Sequence, residues 1–177
     1  MPPNPTLPRR RSIRLKNYDY TSPGAYFITI CTYARTLYFD DLSIRDIAAA
    51  RWQAIPDHTP NVSLDQWVVM PNHVHGLLVF EPSSPEAAKP MWPTGAQGQG
   101  HMSSISPHGR SLAVVVRAYK AAVTGACRKA GKDFAWQDGY YEHVVRDATD
   151  LDHIRRYIRD NPLKWELDSE HPSNRAR

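Results

Sequence analysis

The stretch Trp67–Phe80 reads WVVMPNHVHGLLVF, and it decides how the chain is expected to fold. Two apolar runs flank the dipeptide Pro71-Asn72, a pattern that predicts two consecutive β-strands joined by a tight turn. Because side chains alternate between the two faces of a strand, His73 and His75 are expected on one face and Val74 on the other. The stretch therefore predicts two imidazoles that point the same way from one strand.

Two imidazoles on one strand face can form half of a metal site, because imidazole is the commonest metal ligand among protein side chains. The same pattern also fits ordinary strand histidines that hydrogen-bond to the backbone or to water. The spacing of His73 and His75 leaves both interpretations open.

Length and composition indicate one globular domain without membrane spans. A chain of 177 residues can enclose one hydrophobic core, and two cysteines make no disulfide framework, which favours a reducing cytosol. No apolar run approaches the roughly 18 residues of a membrane span, and the proline-rich start lacks the apolar segment of a signal peptide. We therefore expect a cytoplasmic protein.

The rest of the pattern predicts an α+β fold. Strands are expected over Ala25–Tyr33, Asn61–Met70, Val74–Phe80 and Phe134–Val145, and helices over Ser43–Pro56, Ser111–Gly131 and Asp150–Asp160. Ser43, Ser111 and Thr149 are the expected N-caps. This order is that of a ferredoxin-like, or RRM-like, antiparallel sheet with helices on one face, followed by an appended C-terminal helix.

Composition divides the chain into an arm, a domain and a tail. Residues 1–23 are expected to be a basic flexible arm, residues 24–166 a single domain, and residues 167–177 a polar tail. The segment 81–110 is rich in proline, serine and glycine, and we expect a disordered insertion within the domain.

Basic side chains concentrate in the arm and along one side of the helix predicted after Ser111, and the formal net charge is +4. Such clusters attract phosphate backbones, although either can also be ordinary solvated surface. The candidates for DNA backbone contacts are Arg9, Arg10, Arg11, Arg14, Lys16, Arg117, Lys120 and Arg128.

The last predicted helix carries a possible second half of the site. Leu151, Ile154 and Ile158 form a core-facing stripe, and Tyr157 and Asn161 lie one turn apart along its flank. A tyrosine there can act as a nucleophile, and an amide oxygen one turn later can be a third metal ligand. Alternatively, the tyrosine is a packing residue and the asparagine only ends the helix before the following proline.

Three motifs in order carry a family resemblance: Pro71–Gly76 (PNHVHG), the pair Trp136-Gln137 followed by Tyr141–His143 (YEH), and Tyr157–Pro162 (YIRDNP). Together they resemble the single-tyrosine HUH transposases, and within these the REP-associated tyrosine transposases. The resemblance extends over about residues 26–165 and is interrupted by the insertion.

The resemblance implies that His73, His75 and Asn161 hold a divalent metal, Mg²⁺ or Mn²⁺, and that Tyr157 is the nucleophile. It implies an enzyme that cleaves and rejoins single-stranded DNA next to hairpins through a 5′-phosphotyrosine, without a nucleotide cofactor and in association with the nucleoid. The basic arm and the insertion depart from the simplest members of the family and leave the choice of hairpin open. Monomer and homodimer also both remain open.

Alternatives remain for the residues and for the function. Tyr140, Tyr141 and His143 are rival participants in the site. Tyr141 and His143 would share one strand face, so a nucleophile at Tyr141 is geometrically possible, and Glu142 is expected to be structural or a partner of the site and not a general base. A sheet of this type can also bind single-stranded nucleic acid without chemistry. A third possibility is a metal-dependent phosphodiesterase that uses water as its nucleophile.

Overall fold

The computed structural model describes residues 19–82, 111–168 and 170–174. The strands within these ranges are β1 (Gly24–Cys31), β2 (Val62–Met70), β3 (His73–Phe80) and β4 (Tyr141–Val144). The α-helices are α1 (Leu42–Gln53), α2 (Ile55–His58), α3 (Leu112–Lys129) and α4 (Ala148–Asp160), and a 3-10 segment, Asn161–Leu167, follows α4. None of the helices in the described ranges is long and apolar enough to cross a membrane.

The four strands form one sheet in the order β2-β3-β1-β4, with every neighbouring pair antiparallel. This is the ferredoxin-like arrangement, and the predicted α+β fold class is confirmed. The Pro71-Asn72 turn joins β2 to β3, as expected from the sequence, and β3 lies in the interior of the sheet between β2 and β1. The histidine pair therefore lies on a central strand.

One face of the sheet carries the main hydrophobic core. Alternate residues of β1 and β3, such as Ile28 and Leu78, pack there with the buried faces of α1 and α3. The apolar stripe predicted for α3 is buried at every position: Leu112, Val115, Val116, Tyr119, Val123 and Cys127. Gly76 faces the same core, and a Cβ atom there would lie only 2.1 Å from the Trp52 ring.

The opposite face is covered by α4. Ile154 and Ile158 pack against Phe27 of β1 and Leu77 of β3 to form a second, smaller core. Because His73 and His75 share the face of Leu77, α4 lies over the histidine pair. The sequence predicted an appended helix, and the structure shows that it occupies the sheet face that α1 and α3 leave free.

Several local boundaries differ from the predictions. The last strand was predicted over Phe134–Val145 but extends only over Tyr141–Val144. Before it, Trp136 forms a single isolated bridge to Thr32, and the chain then turns. The N-caps of α1 and α4 are Asp41 and Asp147, not Ser43 and Thr149. Each aspartate carboxylate accepts a main-chain N–H of the first turn at 2.9 Å, and the helices begin earlier as a result.

Ser111 is the N-cap residue of α3, as expected, but its side chain makes no capping hydrogen bond. The DNA contacts predicted in the N-terminal arm lie outside the described residues: Arg9, Arg10, Arg11, Arg14 and Lys16. Residues 83–110 of the insertion also lie outside them.

Candidate active site

The two histidines of β3 lie side by side on the α4 face of the sheet. Both are buried, and their Nε2 atoms are 2.9 Å apart. The alternation of side chains along a strand predicted this shared direction. Two imidazole nitrogens therefore converge on one point.

Each imidazole is held from behind through its other nitrogen. Nδ1 of His73 lies 2.8 Å from Oδ1 of Asn72, and Nδ1 of His75 lies 2.9 Å from the hydroxyl of Thr29 on β1. Partners of this kind fix the orientation of metal-binding histidines. The rings are thus held in place before any ligand arrives.

Burial keeps both rings neutral at neutral pH. It lowers the pKa of His73 to about 3, with a further contribution from the positive charge of Arg35. Burial also lowers the pKa of His75 well below its usual value, and the neighbouring His73 acts in the same direction. A neutral imidazole has the lone pair that metal ligation needs.

Tyr157 reaches this pair from α4. Its hydroxyl lies 3.2 Å from Nε2 of His75, and its ring packs against those of His75 and Phe27 with centroids 5.2 and 6.0 Å away. Tyr157 is 46% exposed, so the residue meets both the buried histidines and the surface. Burial, and then the charge of Asp168, raise the pKa of Tyr157 to about 12, and the phenol is therefore neutral at pH 7.

Asn161 caps the C-terminal end of α4 and is buried next to Tyr157. Its Nδ2 donates to Oδ2 of Asp168 at 2.8 Å, whereas its Oδ1 is buried without a hydrogen-bond partner among the described residues. Unpaired buried acceptors are rare and need an explanation. An amide oxygen left free on a side chain that hydrogen-bonds to Asp168, whose carboxylate lies near both imidazoles, fits a divalent metal ligand.

Asp168 is the site residue that the sequence analysis missed. One of its carboxylate oxygens and one nitrogen each of His73 and His75 all lie within 4.8 Å of one another. The residue is buried, although it belongs to the polar tail to which no role in the site was assigned. No short motif surrounds it, and only its position in the turn after α4, seven residues beyond Asn161, could have suggested it.

An opening in the surface leads to these groups. It is a cavity of about 200 Å³ next to Tyr157, and α4 and the 3-10 segment provide its walls. The residues that line it are Tyr157, Asp160, Asn161, Lys164, Leu167 and Asp168. Tyr157 therefore borders this cavity together with the buried residues Asn161 and Asp168.

The rival residues lie further from the histidines. Tyr141 of β4 lies opposite Thr29 of β1, and Thr29 in turn lies opposite His75 of β3. Tyr141 is therefore two strand spacings, or roughly 10 Å, from His75. His143 is held by Asp150, with 2.8 Å between Nε2 and Oδ2. Glu142 alternates with these residues and is buried on the opposite face, against the main core.

The basic residues predicted on α3 lie on the other face of the sheet from Tyr157. Arg117, Lys120 and Arg128 line one groove of about 600 Å³, together with Trp136 and Tyr140. The two arginines are exposed. Lys120 has a structural role, because its ammonium donates to the carbonyls of residues 137 and 139 at 2.6 and 3.1 Å.

Comparisons with known proteins agree with the resemblance inferred from the three motifs. No family model matches the chain. An uncharacterized protein of Haemophilus influenzae is 36% identical over 177 aligned residues, covering 93% of this chain and 94% of that protein. A solved structure of a REP-associated tyrosine transposase bound to a REP hairpin superimposes with a TM-score of 0.61 and 20% identity, covering 89% of this chain and 76% of that one. The chain therefore belongs to the same family as the Haemophilus influenzae protein, and its fold is that of a REP-associated tyrosine transposase.

Proposed function

We propose that this protein is a metal-dependent, single-stranded DNA transposase or nickase that cleaves and rejoins DNA next to hairpins through a phosphotyrosine on Tyr157. The observation that carries the proposal is the 3.2 Å contact between the Tyr157 hydroxyl and Nε2 of His75. This contact brings a surface-accessible nucleophile to a pair of neutral imidazoles within one chain. The fold similarity to a hairpin-binding transposase supports the choice of substrate.

The residues present fit a divalent ion, Mg²⁺ or Mn²⁺. His73, His75 and the free Oδ1 of Asn161 would hold it, with the carboxylate of Asp168 beside them. When bound, the ion would polarise the scissile phosphate. Mixed nitrogen and oxygen donors suit such an ion and leave room for phosphate oxygens, unlike a closed structural zinc site.

In the proposed cleavage step, the Tyr157 oxygen forms a bond to phosphorus while the bond from phosphorus to the 3′ oxygen breaks. The phenol proton leaves to solvent along the exposed side of the ring, and the departing 3′ oxygen takes a proton from water. Because burial and the charge of Asp168 raise the pKa of the phenol to about 12, Tyr157 keeps its proton in the resting protein and loses it only as attack begins.

Rejoining is the reverse of this step with another strand. The 3′-OH of that strand attacks the phosphotyrosine, its proton is lost, and the tyrosine oxygen leaves and is reprotonated. Because the phosphotyrosine retains the energy of the broken diester, the reaction requires no nucleotide cofactor.

The DNA backbone would be held by the basic residues of the arm, Arg9–Lys16, and by Arg117 and Arg128 on α3. The arginines of α3 are exposed and free to meet phosphates, whereas Lys120 is engaged with main-chain carbonyls and would contribute mainly by shaping the groove.

The test is adduct formation. The protein is incubated with hairpin-bearing single-stranded DNA and Mn²⁺ and run on a denaturing gel. We expect a covalent protein–DNA species that Tyr157→Phe abolishes and Tyr141→Phe preserves. A non-catalytic binding module would give no adduct with the wild type, and a water-dependent phosphodiesterase would give cleaved DNA without an adduct and would still cut as Tyr157→Phe.

A further inference from the structure

We infer that Asn72 is a positioning residue that holds His73 in a single tautomer, with its proton on Nδ1 and its Nε2 lone pair directed into the site. The role of that lone pair rests on the proposed metal site, but the tautomer itself follows from hydrogen bonds that can be tested without a metal. A second consequence is that His75, and not His73, must change its tautomer when a metal binds.

The orientation of the Asn72 amide is fixed by its donors. Its Nδ2 donates to the main-chain carbonyls of Arg35 and Glu170, at 3.3 and 2.8 Å. Carbonyl oxygens only accept, so a flipped amide would place its own oxygen against two acceptors. Nδ2 must therefore face the carbonyls, and Oδ1 must face His73.

The position of Asn72 in the turn is fixed as well. The residue is fully buried, and its main-chain carbonyl accepts from both N and Oγ1 of Thr32 at 2.9 Å. Two separate segments of the chain, one with Thr32 and Arg35 and one with Glu170, thus hold the side chain and the main chain of one residue. Because Oδ1 can only accept, Nδ1 of His73, 2.8 Å away, must donate.

This assignment determines the state of His75 in the metal-free protein. His73 presents a bare Nε2, and two bare nitrogens cannot face each other at 2.9 Å without repulsion. His75 must therefore carry its proton on Nε2, which then faces both Nε2 of His73 and the oxygen of the Tyr157 hydroxyl, 2.9 and 3.2 Å away, as acceptors. Its Nδ1 is then an acceptor for the hydroxyl of Thr29, 2.9 Å away.

A metal ion would need both Nε2 lone pairs, so His75 must then carry its proton on Nδ1. Thr29 permits this exchange because a hydroxyl can either donate or accept. The ring keeps one proton throughout and only its location changes, by exchange with solvent. The structure thus assigns a fixed role to His73, set by an amide, and an adaptable role to His75, set by a hydroxyl.

The experiment is long-range ¹H–¹⁵N NMR of the histidine rings in the full chain at pH 7, with and without Mg²⁺. We expect His73 as the Nδ1–H tautomer in both samples, and His75 to change from Nε2–H to Nδ1–H when Mg²⁺ is added. A metal-free His73 with its proton on Nε2, or averaged between the two nitrogens, overturns the inference. A spectrum that Mg²⁺ leaves unchanged refutes the metal site and the exchange at His75, while Nδ1–H at His73 still supports the role of Asn72.

A pair of variants separates positioning from general stability. Asn72→Ala removes the acceptor, so His73 should become a tautomer mixture and Mg²⁺ affinity should fall on the order of 10- to 100-fold. Thr32→Val removes a hydrogen bond to the same buried turn but leaves Oδ1 of Asn72 in place. It should keep both the tautomer and the affinity. Equal losses of affinity in the two variants would reduce Asn72 to a structural role, and if Asn72→Ala does not fold, the wild-type spectrum decides alone.

Discussion

Replacing Asp168 by asparagine tests whether the tail residue belongs to the site. Both carboxylate oxygens accept hydrogen bonds: Oδ2 from Nδ2 of Asn161 at 2.8 Å, and Oδ1 from the main-chain N–H of Glu170 at 2.6 Å. An asparagine side chain has one acceptor and one donor. In either orientation its NH₂ group would face one of these two donors, and one buried hydrogen bond would be lost.

The expected cost follows from this mismatch. A buried donor left without a partner costs about 1–3 kcal/mol, so Asp168→Asn should lower the free energy of unfolding by about that amount. The variant also removes the negative charge next to His73 and His75, and Mn²⁺ affinity should fall on the order of 10- to 100-fold. The pKa of Tyr157 should fall too, because the charge of Asp168 contributes to raising it.

Urea unfolding measures the first effect and calorimetric titration with Mn²⁺ the second. Asp160→Asn is the matched control, because Asp160 lines the same opening but is more exposed than Asp168. Its carboxylate lies 3.9 Å from the ammonium of Lys164. It should bind Mn²⁺ nearly as the wild type does. Wild-type affinity in Asp168→Asn would remove Asp168 from the metal site, and equal losses in both variants would indicate a general charge effect.

Three further predictions concern the fold and the groove along α3. Gly76→Ala should lower stability by about 1–3 kcal/mol in thermal unfolding, because its Cβ would collide with a buried indole, whereas Gly125→Ala, with open space around it, should not destabilise. Asp65→Asn should lower the Tm at pH 7, but the difference from wild type should vanish in acid: the Arg155 guanidinium lowers the pKa of Asp65, so this stabilisation is lost as pH falls through that lowered value. Arg117→Ala with Arg128→Ala should weaken DNA binding and flatten its salt dependence in fluorescence titrations, and an unchanged salt slope would exclude α3 from the backbone contacts.

The parts of the site that could be predicted from sequence depend on local periodicity. Alternation along β3 placed His73 and His75 on one face, and helical spacing placed Tyr157 on the flank of a buried stripe. Both rules hold within a single element, so they need no knowledge of the tertiary structure. The motifs added that the two elements meet, and the structure brings them within 3.2 Å.

The parts that could not be predicted depend on contacts between distant segments or on competition between close alternatives. Asp168 enters the site only because the turn after α4 folds back beneath Asn161. Asn72 acquires its role only where the segments that contain residues 35 and 170 converge. At the start of α1, Asp41 and Ser43 are both good caps, and the carboxylate prevails because it accepts from both the N–H and the hydroxyl of Ser43.

The two faces of the sheet differ in how completely they are covered. The face toward α1 and α3 holds the large core, whereas α4 is held by a small apolar cluster and by a bidentate pair between Arg155 and Asp65. A face that is only partly covered can keep buried polar groups next to a half-exposed tyrosine, which a fully packed core could not. Segments with few buried contacts open at lower free energy than the core. Weakening the attachment of α4 should therefore reduce the proposed cleavage activity before it unfolds the domain, because the Tyr157 hydroxyl contacts His75 only while α4 is docked.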